Sequence, residues 1–261
     1  MSGVDGQGLA ADALTALRRA YGIARSTLIY RARPWRRSRA WALYRQFIAP
    51  GTLAFDIGAH LGDRSRYFRS LGARVVAVEP QAELAARLRR AFHGDPGVEV
   101  LNAALGAASG SATLHRDPMN PTLATLSADW SRTLEASEAF RGVRWRERHS
   151  VAVTTLDALI ECFGVPAFAK IDVEGFEAEV LRGLNRPLPA LSFEYVTVSL
   201  EPALGALDRL RSLGRYVFNR SEGESLRLIH GHWREPDAMA EELKGLAANA
   251  GSGDVYARLE A

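Results

Sequence analysis

The spacing of apolar positions predicts alternating strands and helices from residue 52 onward. An apolar run at 52–57 precedes a helical pattern at 63–71, and a second run at 74–79 precedes another at 83–92. Buried parallel strands appear as continuous apolar runs, whereas amphipathic helices repeat apolar residues every three or four positions. The alternation therefore predicts an α/β fold, in which helices cover both faces of a mostly parallel sheet.

The later part of the chain continues this pattern with shorter elements. Apolar runs bounded by glycine, proline and polar residues predict further strands, and longer periodic stretches predict further helices. The strands are predicted at 98–101, 111–115, 149–155, 167–171, 191–196, 216–219, 226–229 and 255–259, and the helices at 156–163, 179–184, 204–213 and 236–248.

Two segments stand apart from the alternating elements. Residues 1–50 form a predicted N-terminal helical segment, in which a helix at 10–30 precedes a second short helical stretch, and residues 51–261 form the main domain. Within that domain, residues 118–150 are polar and show no clear period. Long connections inside a compact domain tend to be lids or binding loops, so we expect a lid or substrate loop there.

The most informative local pattern lies around the first strand. Asp56 ends that strand, Gly58 and Gly62 follow in the turn, and Glu79 ends the second strand. A strand, a glycine turn, a helix and a strand that ends in an acid are the parts that hold a nucleoside cofactor. We expect the glycines to let the backbone approach the ligand and Glu79 to accept hydrogen bonds from the ribose hydroxyls.

The order of acid and glycines indicates which nucleoside is bound. Dinucleotide sites usually carry G-x-G-x-x-G, whereas this chain has D-x-G-x-x-x-G, with Asp56 first. An acid at the end of the first strand repels a pyrophosphate but suits S-adenosylmethionine, which carries a sulfonium and an ammonium group. The pattern favours S-adenosylmethionine over a nicotinamide dinucleotide, although a Rossmann-type oxidoreductase and a plain β–α turn stay open as alternatives.

A second group of acids follows later strands. Asp172 and Glu174 end the strand at 167–171, and Glu194 lies inside the apolar run at 191–196. Buried acids are costly unless paired, so acids at strand ends beside a crevice are candidates for chemistry. The same three carboxylates suit a divalent cation, which we consider the less favoured alternative. Glu177, on the next helix, is expected to face solvent or to pair with a nearby base.

Composition restricts the kind of protein. With 261 residues, 47% hydrophobic and 24% charged, the chain has the composition of a soluble globular protein, and no apolar run approaches a membrane span. Cys162 is the only cysteine, so it cannot form an internal disulfide, and its apolar neighbours predict a buried thiol. The N-terminus has neither a basic nor an apolar leader pattern. We expect a cytoplasmic protein.

Positive charge is concentrated before the predicted core. The net charge is only +3, yet the pI is about 9.2. Such a cluster can bind phosphates, RNA or anionic lipid heads, or it can be a solvated helix face. We prefer the solvated face and expect no stable nucleic-acid partner, with an RNA methyltransferase as an open alternative. The residues concerned are Arg31, Arg33, Arg36, Arg37, Arg39 and Arg45.

Taken together, these motifs resemble those of the FkbM family of methyltransferases. The K-I-D-V-E-G-x-E block is the most diagnostic, since the glycine turn is shared by many methyltransferases. The matching blocks are DIGAHLGD at 56–63, VVAVEP at 75–80, LNAALG at 101–106, KIDVEGFEAEVLRGL at 170–184 and SFEYV at 192–196.

The resemblance implies a fold and an activity. The fold is a Rossmann-like class I methyltransferase fold with a seven-stranded, mostly parallel sheet, whose last strand lies antiparallel beside the fifth. The activity is transfer of a methyl group from S-adenosylmethionine to a hydroxyl of a sugar, a glycan or a polyketide-type natural product. A non-catalytic cofactor-binding protein and a homodimer are open alternatives.

The resemblance also implies roles for individual residues. Asp172 would lie beside the methyl group as the first candidate for the base, with Glu174 second, while Asn102 and Ala103 would lie against the adenine. His60 and Asp63 depart from the family pattern, in which many relatives have asparagine and an aromatic residue. The implied cofactor-binding set is Asp56, Gly58, His60, Gly62, Asp63, Glu79, Pro80, Asn102, Ala103 and Asp172.

Overall fold

The structure, a computed structural model, describes residues 35–260. The predicted helix at 10–30, together with Arg31 and Arg33, lies outside these residues. The helices are α1 (Trp35–Tyr44), α2 (Asp63–Ser70), α3 (Ala82–Ala91), α4 (Ala128–Ala136), α5 (Leu156–Phe163), α6 (Glu177–Arg182), α7 (Glu201–Leu213) and α8 (Pro236–Lys244). The strands are β1 (Leu53–Ile57), β2 (Arg74–Val78), β3 (Val98–Leu101), β4 (Ala104–Leu105), β5 (Gly110–Arg116), β6 (Glu147–Thr154), β7 (Phe168–Ile171), β8 (Ala190–Val196), β9 (Tyr216–Arg220) and β10 (Ser252–Leu259).

Seven strands form the main sheet, in the order β3-β2-β1-β7-β8-β10-β9. β1 is parallel to both β2 and β7, and β7 is parallel to β8. β10 is antiparallel to both β8 and β9. The order confirms the predicted Rossmann-like α/β fold, including the antiparallel last strand. The three remaining strands form a small separate sheet in the order β4-β6-β5.

Apolar side chains fill both faces of the main sheet. All five residues of β1 are buried, and because side chains alternate across a strand they divide between two core layers. Phe55 faces the layer that α5, α6 and α7 cover, and Ala54 faces the layer that α1 and α2 cover. In the second layer Tyr44 of α1 meets Phe68 edge to face, with ring centroids 5.0 Å apart. The described part of the N-terminal segment therefore packs on the sheet of the main domain.

The segment at 118–150 is ordered by two tryptophans, contrary to the irregular loop expected there. Trp130 on α4 is 3% exposed and packs edge to face on Trp145, with 5.9 Å between the ring centroids. The Ser127 hydroxyl caps α4 by accepting a hydrogen bond from the backbone N–H of Trp130 at 3.1 Å. Burial of the two indoles therefore stabilises a helix that was not predicted.

Two other local predictions were wrong. Residues 226–229 form a loop rather than a strand, because Leu226 has φ 53°, which no strand residue adopts. Cys162 is exposed rather than buried, because α5 turns its neighbours Leu159 and Ile160 toward the core instead. Among residues 35–260, no helix combines the length and the apolar character that crossing a membrane requires.

Candidate functional site

Gly58 brings the ends of β1 and β7 into contact. Its φ is 79°, and a Cβ there would lie 1.8 Å from the backbone oxygen of Asp172. The amides of Gly58 and Ala59 also donate to the oxygen of Val78, at 2.9 and 3.0 Å, which ties the turn to β2. Contact with Asp172 therefore requires glycine here, whether or not a ligand also approaches this residue as expected. One surface thus contains the ends of three neighbouring strands.

Gly62 and Asp63 begin helix α2 beyond this turn. A Cβ on Gly62 would lie 2.6 Å from Cδ2 of Leu88, so its absence lets α2 pack on α3. Gly62 lies outside the two cavities described below. Asp63 is the first residue of α2, where the helix dipole favours a negative charge, and its carboxylate accepts a 3.4 Å hydrogen bond from Arg66.

Glu79, at the end of β2, presents a fixed carboxylate. Its Oε2 accepts the backbone N–H of His60 at 2.9 Å, and its Oε1 accepts that of Gln81 at 2.8 Å. Burial raises the pKa of Glu79 to about 7, although these two hydrogen bonds oppose the rise. Each carboxylate oxygen can accept a further hydrogen bond. The side chain can therefore receive two neighbouring hydroxyls.

Asn102 holds the chain beside Glu79. Its side-chain amide donates to the backbone oxygens of Glu79 at 2.9 Å and Pro80 at 3.0 Å, which fixes the loop after β2 against the end of β3. Asn102 lines a neighbouring cavity rather than the one that contains Glu79, whereas Ala103 lines that one directly. Of these two residues, Ala103 thus lines the cavity that contains Glu79, and Asn102 supports the loop beside it.

Two cavities lie side by side at the ends of the parallel strands and share lining residues. The apolar cavity has about 520 Å³ of empty space, counting space open to solvent, and its walls include Glu79, Pro80, Ala103, Leu105 and Phe176. The polar cavity has about 580 Å³ on the same basis, and its walls include Asp56, Asp63, Arg64 and Glu224. Both are lined by Gly58, His60, Thr122, Asp172 and Glu174. The acids predicted to be catalytic therefore lie where the cavities meet.

Charged groups in the polar cavity are held by hydrogen bonds. Asp56 is buried and accepts a 2.5 Å hydrogen bond from the Ser65 hydroxyl, while burial raises the pKa of the Asp56 carboxyl. Arg64 pairs with Glu224 at 2.6 Å, and Glu224 also pairs with Arg36 at 3.2 Å. Arg36 is 6% exposed, so this member of the basic cluster belongs to a buried ion network rather than to a solvated face.

Lys170 is a buried cation beneath the site that the sequence analysis did not identify. Its Nζ lies 2.7 Å from Oδ1 of Asp254 on β10 and 3.1 Å from Oδ2 of Asp172. Burial alone lowers the pKa of the Lys170 ammonium, but the two carboxylates outweigh burial and hold it well above its usual value. A lysine in the middle of an apolar strand is the available signal, because a buried ammonium requires paired acids.

The three acids predicted as cation ligands lie together. One oxygen from each of Asp172, Glu174 and Glu194 falls within 4.8 Å of the others. Burial, followed by repulsion from the neighbouring carboxylates, raises the pKa values of Glu174 and Glu194 well above the usual range. Ionisation of all three carboxylates is therefore unfavourable at the junction of the cavities unless a cation offsets their charge.

Glu177 fixes the turn that carries Glu174. Its Oε1 accepts the backbone N–H groups of Val173 at 3.2 Å and Gly175 at 3.3 Å, and its side chain is buried rather than facing solvent as expected. Burial raises the pKa of Glu177 to about 7. Trp130 covers the same turn, because a Cβ on Gly175 would lie 2.1 Å from its indole ring. The segment at 118–150 thus contacts the site.

His60 lies in the turn between the two cavities, with φ 48°. Its backbone N–H donates to Glu79, but within the described part of the chain its Nε2 is buried without a hydrogen-bond partner. Burial lowers the pKa of His60 to about 4, so the ring is neutral at pH 7. A neutral imidazole with an unpaired nitrogen therefore lines the cleft.

The strand order and the cleft at the strand ends are those of class I methyltransferases, which use S-adenosylmethionine. The model of the methyltransferase FkbM domain matches residues 56–214, more than half of the chain. The chain belongs to the FkbM methyltransferase family, and S-adenosylmethionine is its cofactor. No curated protein matches the sequence significantly.

Several solved structures are similar at low identity. Precorrin-6Y C5,15-methyltransferase from Geobacter metallireducens is 13% identical over 86% of each chain, with a TM-score of 0.45. A 1,6-didemethyltoxoflavin N1-methyltransferase from Burkholderia thailandensis, solved with S-adenosylhomocysteine, is 12% identical over 100% of this chain and 93% of that one, with a TM-score of 0.42. An rRNA methylase from Streptococcus thermophilus is 12% identical over 87% and 98%, with a TM-score of 0.41.

The residues present suit this cofactor. Glu79 offers two fixed acceptors for a ribose, and the apolar wall beside Ala103 suits an adenine ring. Asp56 supplies negative charge in the adjoining polar cavity, where a cationic amino-acid group can be held. The paired acceptors and the joined cavities thus match a nucleoside that carries a positively charged side chain.

Proposed function

We propose that the protein transfers a methyl group from S-adenosylmethionine to a hydroxyl of a sugar, a glycan or a polyketide-type small molecule. The observation that carries this proposal is the position of Asp172 and Glu174, which line both cavities where they meet. A hydroxyl is a poor nucleophile at neutral pH and benefits from a neighbouring base, which a carboxylate supplies.

In this proposal the two cavities divide the cofactor between them. The apolar cavity would hold the adenosine part, where Glu79 would accept hydrogen bonds from the ribose and the wall that includes Pro80 and Ala103 would take the adenine. The amino-acid part occupies the polar cavity, near Asp56 and the start of α2 at Asp63. Gly58 and His60 lie between the two parts. Their positions in the walls of the cavities support this arrangement.

The chain's own residues would position the acceptor and remove one proton. Bound S-adenosylmethionine supplies an electrophilic methyl group, and its sulfur keeps the electron pair of the broken bond. Asp172 accepts the hydroxyl proton as the acceptor oxygen forms its bond to the methyl carbon, which gives a methyl ether. Lys170 holds Oδ2 of Asp172, so the carboxylate keeps one orientation toward the cleft. Much of the rate enhancement is then positioning.

The segment at 118–150 is the proposed wall of the acceptor site. Thr122 lines both cavities, and α4 packs on the turn of Glu174 through Trp130. RNA is a less suitable acceptor, since Arg36 is buried in an ion network and the D-V-E-G sequence after β7 differs from the Asn/Asp-Pro-Pro-Tyr motif of amino-methylating enzymes. A cytoplasmic location is part of the same proposal.

An acceptor panel tests this proposal. The purified protein is incubated with S-adenosylmethionine and sugars, glycans, polyketide-type alcohols, amines or total RNA, and product mass and S-adenosylhomocysteine are measured. We expect a methyl ether, with turnover at least about 100-fold lower in Asp172→Asn, because proton removal by a positioned base contributes roughly 10²–10⁴-fold. Asp129→Asn, on the exposed face of α4, is the control. Methylation of nitrogen, carbon or RNA alone would contradict the proposal.

A further inference from the structure

Asp172, Glu174 and Glu194, here called the acid triad, have the spacing of a single-ion site. Their nearest oxygens all lie within 4.8 Å of one another. Ligand oxygens on opposite sides of Mg²⁺ are about 4.2 Å apart, and those around Ca²⁺ about 4.8 Å, given metal–oxygen distances of about 2.1 and 2.4 Å. The separation of the three carboxylates is close to these values, so a small movement of the side chains would let one ion contact all three.

An unpaired buried oxygen gives independent evidence for a ligand. Glu194 is partly buried as a residue, but its Oε2 is inaccessible to solvent and has no hydrogen-bond partner within residues 35–260. Such an atom costs about 1–3 kcal/mol unless something binds it, and more if it is charged. Glu194 is on β8 and is not among the residues that line the two cavities, while the other two acids of the triad line both. The ligand that reaches all three must be compact.

Lys170 does not supply the missing partner. Its ammonium group contacts Asp172 and shares its charge with Asp254, its closer neighbour. Within the described residues, neither glutamate of the triad forms a salt bridge. If the triad and Asp254 were all ionised, the single Lys170 ammonium would leave most of their negative charge unbalanced next to the cleft.

The supporting structure of the triad is rigid. Glu174 lies in a turn with φ 54°, and Glu177 holds that turn through the backbone N–H groups of Val173 and Gly175. Glu194 lies within a paired strand, so its backbone is fixed by the sheet. A preorganised set of hard oxygen ligands is what divalent cations of the Mg²⁺ and Mn²⁺ type require.

We propose that the acid triad binds one divalent cation, Mg²⁺ or Mn²⁺, at the inner wall of the cleft. Because two of its ligands line the junction of the cavities, the ion would face the acceptor hydroxyl. There it would orient the acceptor oxygen and ease loss of its proton. The ion-binding site stands on the geometry alone, whereas this role rests on the proposed methyl transfer to a hydroxyl.

Manganese binding tests the site directly. The full-length protein is stripped with EDTA, and MnCl₂ is titrated while free Mn²⁺ is followed by electron paramagnetic resonance, with MgCl₂ as competitor. We expect one Mn²⁺ per chain, with a Kd below about 1 mM, displaced by Mg²⁺. Glu194→Gln should weaken binding at least about tenfold, since even outer groups of metal sites contribute 10–100-fold.

The controls separate loss of the site from other failures. Glu179→Gln, a partly exposed acid on α6 that pairs with Arg182, should bind Mn²⁺ like the wild type. If Glu194→Gln does not fold, Glu174→Gln replaces it. Calorimetry with S-adenosylhomocysteine is run on the same samples. The site would be overturned if the protein bound the cofactor but no Mn²⁺ up to millimolar concentration. It would also be overturned if the folded triad variant bound Mn²⁺ as tightly as the wild type. Either result would leave the methyltransferase assignment intact.

Discussion

Glu177→Gln should stabilise the protein at alkaline pH. The two backbone hydrogen bonds of this side chain both go to Oε1, so a glutamine amide oxygen can keep them while the buried charge is removed. Burial moves the pKa of Glu177 from 4.5 to about 7. Since one pKa unit corresponds to about 1.4 kcal/mol, the buried carboxylate costs about 3 kcal/mol once it is ionised.

The sign of the pH dependence follows from the raised pKa. The folded protein holds the Glu177 proton more tightly than the unfolded chain does. The loss of stability caused by the buried charge is therefore absent below pH 4.5, grows as pH rises and is complete above about pH 7. The advantage of Glu177→Gln should therefore be about 3 kcal/mol at pH 8 and about 1 kcal/mol or less at pH 5.

Urea unfolding in EDTA at pH 5 and pH 8 measures this difference. Glu179→Gln is the matched control on the same helix, and because its acid is partly exposed we expect a change within about 0.5 kcal/mol at both pH values. An advantage for Glu177→Gln that is equal at the two pH values, or larger at pH 5, would refute the argument from burial. A loss of stability at pH 8 would show that the turn needs the charge itself.

Two further substitutions test how the turns of the site are packed. Gly58→Ala places a Cβ 1.8 Å from the Asp172 oxygen, so we expect loss of at least about 3 kcal/mol and of cofactor binding. Gly51→Ala is the control: Gly51 has φ 81° but lies in open space, so its substitution should lower the free energy of unfolding by only about 1–2 kcal/mol. Equal melting temperatures for the two variants would contradict the close contact between Gly58 and Asp172. Trp130→Ala removes the indole that covers Gly175, so methyl-transfer turnover should fall roughly tenfold, a loss of about 1.4 kcal/mol. Affinity for S-adenosylhomocysteine should change less, and an equal loss of affinity would show that α4 serves the cofactor instead.

The main sheet could be predicted because its strands are encoded locally. β1 and β2 are continuous apolar runs that end in Asp56 and Glu79, and the glycine turn between them fixes how they connect. The three acids of the later strands could be grouped for the same reason, because parallel strands end at one edge of a sheet. Regular periods and strand ends are properties of short windows of sequence.

The supporting contacts could not be predicted because they join distant parts of the chain. Lys170 meets Asp254 across 84 positions of sequence, and neither residue has a pattern that names the other. The need for glycine at position 58 comes from the oxygen of Asp172, which only the folded sheet brings close. α4 was missed although its apolar residues are spaced for a helix, because its partners Trp145 and Gly175 come close only in the folded chain.

Binding of S-adenosylhomocysteine tests the central claim most directly. Calorimetry at pH 8, where Glu79 is ionised, should show one binding site in the wild type. The affinity of Glu79→Ala should be at least about 100-fold weaker, because hydrogen bonds to a charged group contribute about 1.5–3 kcal/mol each. Glu99→Ala, an exposed acid on neighbouring β3, should bind normally. No heat with the wild type, or equal affinity in folded Glu79→Ala, would contradict the assignment of this cleft to the cofactor.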